Sequence, residues 1–159
     1  MPLKYFALGA APDQTGAAAR VRINPTTGSV STDTWDDQVT EFPRIDDRLH
    51  TQAHRFFSYS SKSPGMGVGH FNVLNRVDTT TGAITSFDSG AKVFDEVVFA
   101  PAQGGGPEQG YYVAFRTDVE TLQSDWAVWD ANNVDSGPLA TVEMSFRVPS
   151  GLHGNWFPS

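Results

Sequence analysis

Three residues able to bind or steer a metal recur at almost one interval: Glu41 in TEFPRID, Glu96 in VFDEVVFAP and His153 in GLHGNWFP, separated by 55 and then 57 positions. The turn glycines Gly28, Gly82 and Gly137 keep the same step, 54 and then 55 positions. A period near fifty, built from short alternating segments, marks a repeat architecture, and propeller blades fit it best. Equivalent positions of successive blades face one central axis. Two carboxylates and an imidazole are therefore aimed at one point.

Helical spacing of apolar residues is sustained nowhere beyond about two turns, whereas period-two alternation is common. The chain reads as all-β, with candidate strands at 3–8, 19–23, 29–35, 53–59, 71–78, 83–87, 92–99, 110–116, 122–129 and 139–146. Asn24-Pro-Thr-Thr-Gly28 and Thr79-Thr-Thr-Gly82 join their flanking strands as hairpins. Grouping by the period predicts blade units of about 1–40, 41–91 and 92–147, with 148–159 opening a further inner strand that carries His153. The Gly/Ala-rich stretch 9–20 interrupts the first unit as a loose loop. About three blades do not close a ring of the usual four to eight. The chain is then part of a larger propeller, or it completes a ring by oligomerising.

Composition removes several function classes. A net charge of -7 without a Lys/Arg cluster argues against nucleic acid as a partner. The absence of cysteine excludes disulfides, thiolate ligands and a thiol nucleophile, so any metal must use His, Asp, Glu or backbone oxygens. The apolar run near the N-terminus is too short for a signal core or a membrane span. A soluble, cytoplasmic protein is the expectation. Membrane association stays open, with no amphipathic helix or basic patch in the sequence to support it.

Four histidines are present. His50 and His54 are spaced as on one helical face, but no Glu follows His50 and a strand begins near Ala53, so they read as residues in or beside a strand end. His70 precedes the alternating FNVLNRVD and reads as a strand-edge residue. His153 differs because Gly151 and Gly154 bracket it and let the backbone turn tightly or approach another segment closely. Glu41 and Glu96 each lie beside apolar residues, hence either at a strand end in water or buried with a partner. Gln103-Gly-Gly-Gly-Pro107 lacks the spacing and the lysine of a phosphate-binding loop and reads as a plain connection.

Taken in order, EFPRID, HRFF, RVDTTTGAI, FDEVVFAP and VPSGLHGNWFP resemble the last part of the carotenoid cleavage oxygenases, the family that includes lignostilbene dioxygenases; the likeness covers about residues 20–158. The resemblance implies a seven-bladed propeller whose axis holds a non-haem Fe(II) on histidines, so that this chain would be about three blades of an incomplete ring. By position it makes His153 a metal ligand, and Glu41 and Glu96 glutamates that orient ligand imidazoles. It also implies O2 and an apolar carotenoid, apocarotenoid or stilbene as substrates, with a conjugated double bond cleaved to two carbonyl products. His50, His54 and His70 match no ligand motif of the family, so the isolated chain is expected to bind iron weakly and to lack activity. Two other readings stay open: a catalytically inactive propeller segment acting as a binding or assembly module, and an oligomer that closes its own ring.

Overall fold

The computed structural model describes residues 17–36 and 38–157; the candidate strand at 3–8 and most of the stretch 9–20 lie outside them. Among the described residues the regular structure is eleven strands and two 3-10 turns, without an α-helix. The strands form three antiparallel sheets. The first pairs β1 (Ala18–Ile23) with β2 (Val30–Asp36). The second runs β3 (Thr40–Arg44), β4 (Phe56–Ser61), β5 (Val73–Asp78) and β6 (Ile84–Asp88) in spatial order. In the third, β7 (Lys92–Phe94) and β8 (Val98–Pro101) both pair with β9 (Gly110–Asp118), followed by β10 (Ser124–Asp130) and β11 (Ala140–Glu143).

Local chemistry accounts for the tight turns. In the β1–β2 connection the Asn24 side chain accepts the Thr26 N–H at 2.9 Å, and the Gly28 N–H closes onto the Asn24 carbonyl at 2.8 Å with φ +70°. Asp78 and Gly82 repeat this between β5 and β6, with Gly82 at φ +76°. A third copy, Asp118 to Leu122 between β9 and β10, places Leu122 at φ 60°. Lacking glycine, it is invisible to a search for turn glycines. Gly137 instead ends the 3-10 turn Val134–Ser136 that joins β10 to β11.

Four expectations are corrected. β3 was not among the candidate strands; among the described residues it is an edge strand paired only with β4, where the N–H that Pro43 lacks costs little. The candidate strand 92–99 is broken between Phe94 and Val98, where Asp95 and Glu96 turn their carboxylates onto a distant loop. The candidate strand 53–59 begins only at Phe56. Residues 148–157, expected to open an inner strand, lie in no strand, since two N–H groups of the segment go to side-chain carboxylates rather than to a ladder.

The inner strands β4 and β5 of the middle sheet are buried on both faces. Tyr59 and Val77 join Ala18, Trp35 and Phe57 in a core against the first sheet. Leu74, three residues before Val77 on β5 and so on the opposite face, joins Phe94, Val97, Phe99, Tyr112, Ala127 and Trp129 in the larger core against the third. Trp129 has no exposed surface, and burying its ring contributes about 3 kcal/mol. Gly110 permits the β8–β9 approach, because a Cβ there would overlap the Ala100 carbonyl and lie 2.7 Å from the Phe99 ring. The outward face of the third sheet leaves Phe115 and Val142 exposed, and the first sheet exposes Val21, Ile23 and Val30.

Candidate functional site

A cleft of about 800 Å3 lies where the first and second sheets meet the break between β7 and β8. Glu41, Glu96 and His153 all line it, together with His50 and His54; His70 does not. The three residues thus share one cleft.

Glu96 lies in the β7–β8 break with only 6% of its side chain exposed, so its charge needs partners. Its Oε2 accepts the Gly154 N–H at 2.7 Å, and its Oε1 accepts from Arg44 Nη1 at 3.3 Å. The same Oε1 stands 3.5 Å from His153 Nδ1, longer than an ordinary hydrogen bond. A carboxylate can only accept, so a hydrogen bond between the two would need the imidazole tautomer with its proton on Nδ1, leaving the Nε2 lone pair as the ring's donor atom. The His153 side chain is 71% exposed and meets the Phe42 ring edge-on at 6.1 Å.

Phe42 explains how β3 supplies two groups to one cleft. On a regular strand, residues three apart point to opposite faces. Between Glu41 and Arg44 the register shifts, and Phe42 adopts φ 57°, a left-handed conformation that costs a non-glycine residue roughly 1–2 kcal/mol. The bulge brings Glu41 and Arg44 to the same cleft. The Glu41 side chain makes no hydrogen bond or ion pair among the described residues, and the residue is exposed.

The β3–β4 connection carries the other two histidines. His50 Nε2 is 3.4 Å from Asp47, and His54 Nδ1 is 3.4 Å from the Gln52 carbonyl. Buried Asp46 anchors this connection by capping the 3-10 turn Asp47–Leu49. Burial works against the Asp46 carboxylate, yet the Arg48 guanidinium and the N–H groups of Glu108 and Arg48 hold its pKa below the ordinary carboxylate value. Glu108 returns the grip, accepting the Arg55 and Phe56 N–H groups at 2.7 and 2.6 Å. Here the Gly-rich connection, read as a plain loop, is a clamp on the neighbouring sheet.

Sequence reasoning did not single out Arg44, Asp95 or Asn155. Arg44 was visible inside EFPRID, and Asp95 as a second carboxylate next to Glu96. Burial pushes the Asp95 carboxyl above the ordinary range, against the Gly151 N–H and His70, which draw it down.

The donor set fits one position of a metal site. His153 offers one imidazole with an acceptor behind its far nitrogen, the arrangement that fixes and enriches a ligand histidine. Among the described residues no group of three or more His, Asp or Glu side chains is close enough to hold an ion. No complete coordination shell comes from these residues.

The family model described as retinal pigment epithelial membrane protein matches residues 4–158. The carotenoid cleavage oxygenase of Mycobacterium tuberculosis is 32% identical over 158 residues, 95% of this chain and 31% of that protein. The crystal structure of Pseudomonas brassicacearum lignostilbene dioxygenase superposes with a TM-score of 0.81 at 26% identity, covering 89% of this chain and 32% of that one. Cobalt-substituted Synechocystis apocarotenoid oxygenase shares the fold with a TM-score of 0.83 at 20% identity, over 91% of this chain and 31% of that one. These fold relatives are seven-bladed propellers, and the chain spans only 25 to 31% of the curated relatives it matches. In sequence and in fold, the chain belongs to the retinal pigment epithelial membrane protein family, the carotenoid cleavage oxygenases.

Proposed function

We propose that this chain is about three blades of a dioxygenase propeller and supplies one wall of its metal site. The observation that carries the reading is the Glu96–His153 pair: a nearly buried carboxylate backs an exposed imidazole at the edge of a cleft. His153 would hold Fe(II) through Nε2, Glu96 would keep the Nδ1 proton in place, and Glu41 would orient a ligand histidine from another blade. When bound, ferrous iron on neutral imidazoles keeps positions open for O2. The reaction adds both oxygen atoms of O2 across a conjugated carbon–carbon double bond of a polyene or stilbene, giving two carbonyl products. This chain's part is to present the imidazole, hold its proton at Nδ1 and wall the cleft with Trp35, Phe57 and Pro43.

The apolar faces left open on the first and third sheets favour a segment of a larger ring. The same faces would serve a catalytically silent assembly module, the second reading. Units of about 1–40, 41–91 and 92–147 are the blades in either case.

The test is anaerobic Fe(II) titration of the purified chain, with its native mass measured on the same sample, followed by O2 and a stilbene or apocarotenoid. The chain alone should bind iron weakly and release no aldehyde. A polypeptide carrying the remaining blades should cleave, and His153→Ala should abolish cleavage. Tight stoichiometric iron with turnover by the chain alone overturns the proposed division of ligands. Full turnover after His153→Ala in the longer polypeptide favours the assembly module.

A further inference from the structure

His153 is not held by its own packing: its side chain is largely exposed, and its neighbours are one aromatic edge and one carboxylate oxygen. Its position therefore depends on the backbone of Gly151 to Asn155, and that backbone belongs to no strand. We propose that Arg44, working with Asp95, is the positioning residue that fixes this loop and thereby sets the His153 imidazole against Glu96. The proposal deepens the functional reading above and rests on it for the role of His153.

The loop is gripped at both ends. Asp95 Oδ2 accepts the Gly151 N–H at 2.8 Å, and Glu96 Oε2 accepts the Gly154 N–H at 2.7 Å. Adjacent carboxylates thus take the N–H groups on either side of Leu152-His153. Arg44 closes the far end. Its Nη1 donates to the Gly154 carbonyl at 3.4 Å and to Glu96 Oε1 at 3.3 Å, and its Nη2 donates to Asn155 Oδ1 at 2.8 Å and Asp47 Oδ2 at 3.0 Å. One planar guanidinium therefore holds the carboxylate behind the imidazole and the backbone just after it. Only a fork of fixed geometry can meet four such groups together.

Two features argue that Arg44 is placed for geometry rather than for stability. Its Nε is buried without a hydrogen-bond partner, a cost that an arginine optimised as a structural ion pair would avoid. It also reaches the cleft only through the strained Phe42 bulge, and strain of this kind gathers at functional positions. Gly154 fits the same account: a Cβ there would lie 3.3 Å from Val98 Cγ2, so the loop is seated closely on β8.

Arg44→Lys separates positioning from charge, because lysine keeps the charge and loses the fork. In the full 159-residue chain, amide hydrogen exchange at Gly151 and Gly154 and the 15N shifts of the His153 ring are read by NMR, with the urea midpoint as the stability control. Arg44→Lys should speed Gly154 exchange at least tenfold and move the ring nitrogens toward a mixture of tautomers, with the urea midpoint little changed. Asp95→Ala should speed exchange at Gly151 by a similar factor, and Asp95→Asn, which keeps an acceptor, should restore it. Unaltered Gly154 exchange and ring shifts in Arg44→Lys would overturn the proposal. So would an equal loss of protection throughout the chain, which marks a purely structural residue.

Zn(II) added as a probe separates this proposal from the metal reading. A His153 ring that shifts with Zn(II) equally in the parent and in Arg44→Lys overturns the positioning role and leaves the metal reading standing. A ring that is locked in the parent, loosened in Arg44→Lys and untouched by Zn(II) in both supports the positioning role; the metal reading is removed only by full turnover after His153→Ala in the polypeptide that carries the remaining blades.

Discussion

Asp125 offers the sharpest test of how the third sheet holds the site. Its carboxylate receives Arg116 Nε at 2.7 Å and Nη2 at 2.9 Å, and also the Lys92 ammonium, with Asp125 and Arg116 only 5% and 6% exposed. Lys92 opens β7, the strand that leads into Asp95 and Glu96, so this triad anchors the strand on which the His153 loop depends. Asp125→Ala leaves the buried guanidinium with Ser89 Oγ at 3.1 Å and the face of Trp129, while Lys92, 39% exposed, turns to water. Breaking a buried pair by removing one partner costs about 3–5 kcal/mol, and the surviving Arg116 contacts place the expected loss near about 3 kcal/mol. With a urea slope of about 2 kcal/mol per molar, the midpoint should fall by about 1.5 M. Asp125→Asn, isosteric but uncharged, should lose roughly half as much.

The effect also has a pH signature. Burial alone would raise the Asp125 pKa, but Arg116 and then Lys92 overcome it and hold it below the ordinary value. A carboxylate with a depressed folded pKa contributes stability above its unfolded pKa, near 3.9 as an approximate reference, and loses it as pH falls through the folded value. The gap between parent and Asp125→Asn should therefore be full at pH 6 and close progressively below about pH 4. A variant within about 0.5 kcal/mol of the parent at neutral pH would refute the argument, because the cost of desolvating the triad would then cancel its attraction.

Three further outcomes are expected. Gly82→Ala should cost about 1 kcal/mol in a urea melt, because φ +76° strains alanine while its Cβ meets nothing within 4 Å. Gly110→Ala should cost about 3 kcal/mol or prevent folding, read by near-UV circular dichroism, since the added methyl strikes the β8 backbone rather than a side chain that can swing away. Glu108→Ala should speed hydrogen exchange at Phe56 and cost about 1–3 kcal/mol, with Glu108→Gln close to the parent, because the gain lies in an acceptor for two N–H groups.

The strands were legible wherever alternation and turn chemistry agreed. Asn24 to Gly28 and Thr79 to Gly82 mark hairpins because the side-chain and glycine requirements are local. Leu122 hid a third such turn by adopting a left-handed conformation in a residue that seldom does. β3 was not legible, since its place at the sheet edge depends on which strands pair. Glu41, Glu96 and His153, picked out by their spacing, all line one cleft. Arg44 was not picked out, because its side of the strand is set by the Phe42 bulge, and a register shift leaves no mark in the pattern of apolar residues.

By itself the sequence determined most of the strands, two of the hairpins and the interval that recurs along the chain, because alternation and turn preference act over a few neighbouring residues. Tertiary structure decided how the His153 loop is held. Its contacts join residues far apart in the chain: 52 positions from Arg44 to Glu96, 56 from Asp95 to Gly151, 58 from Glu96 to Gly154 and 111 from Arg44 to Asn155. No local preference selects such pairs. They form because packing the sheets removes water from Glu96 and Arg44, and groups stripped of water must find each other.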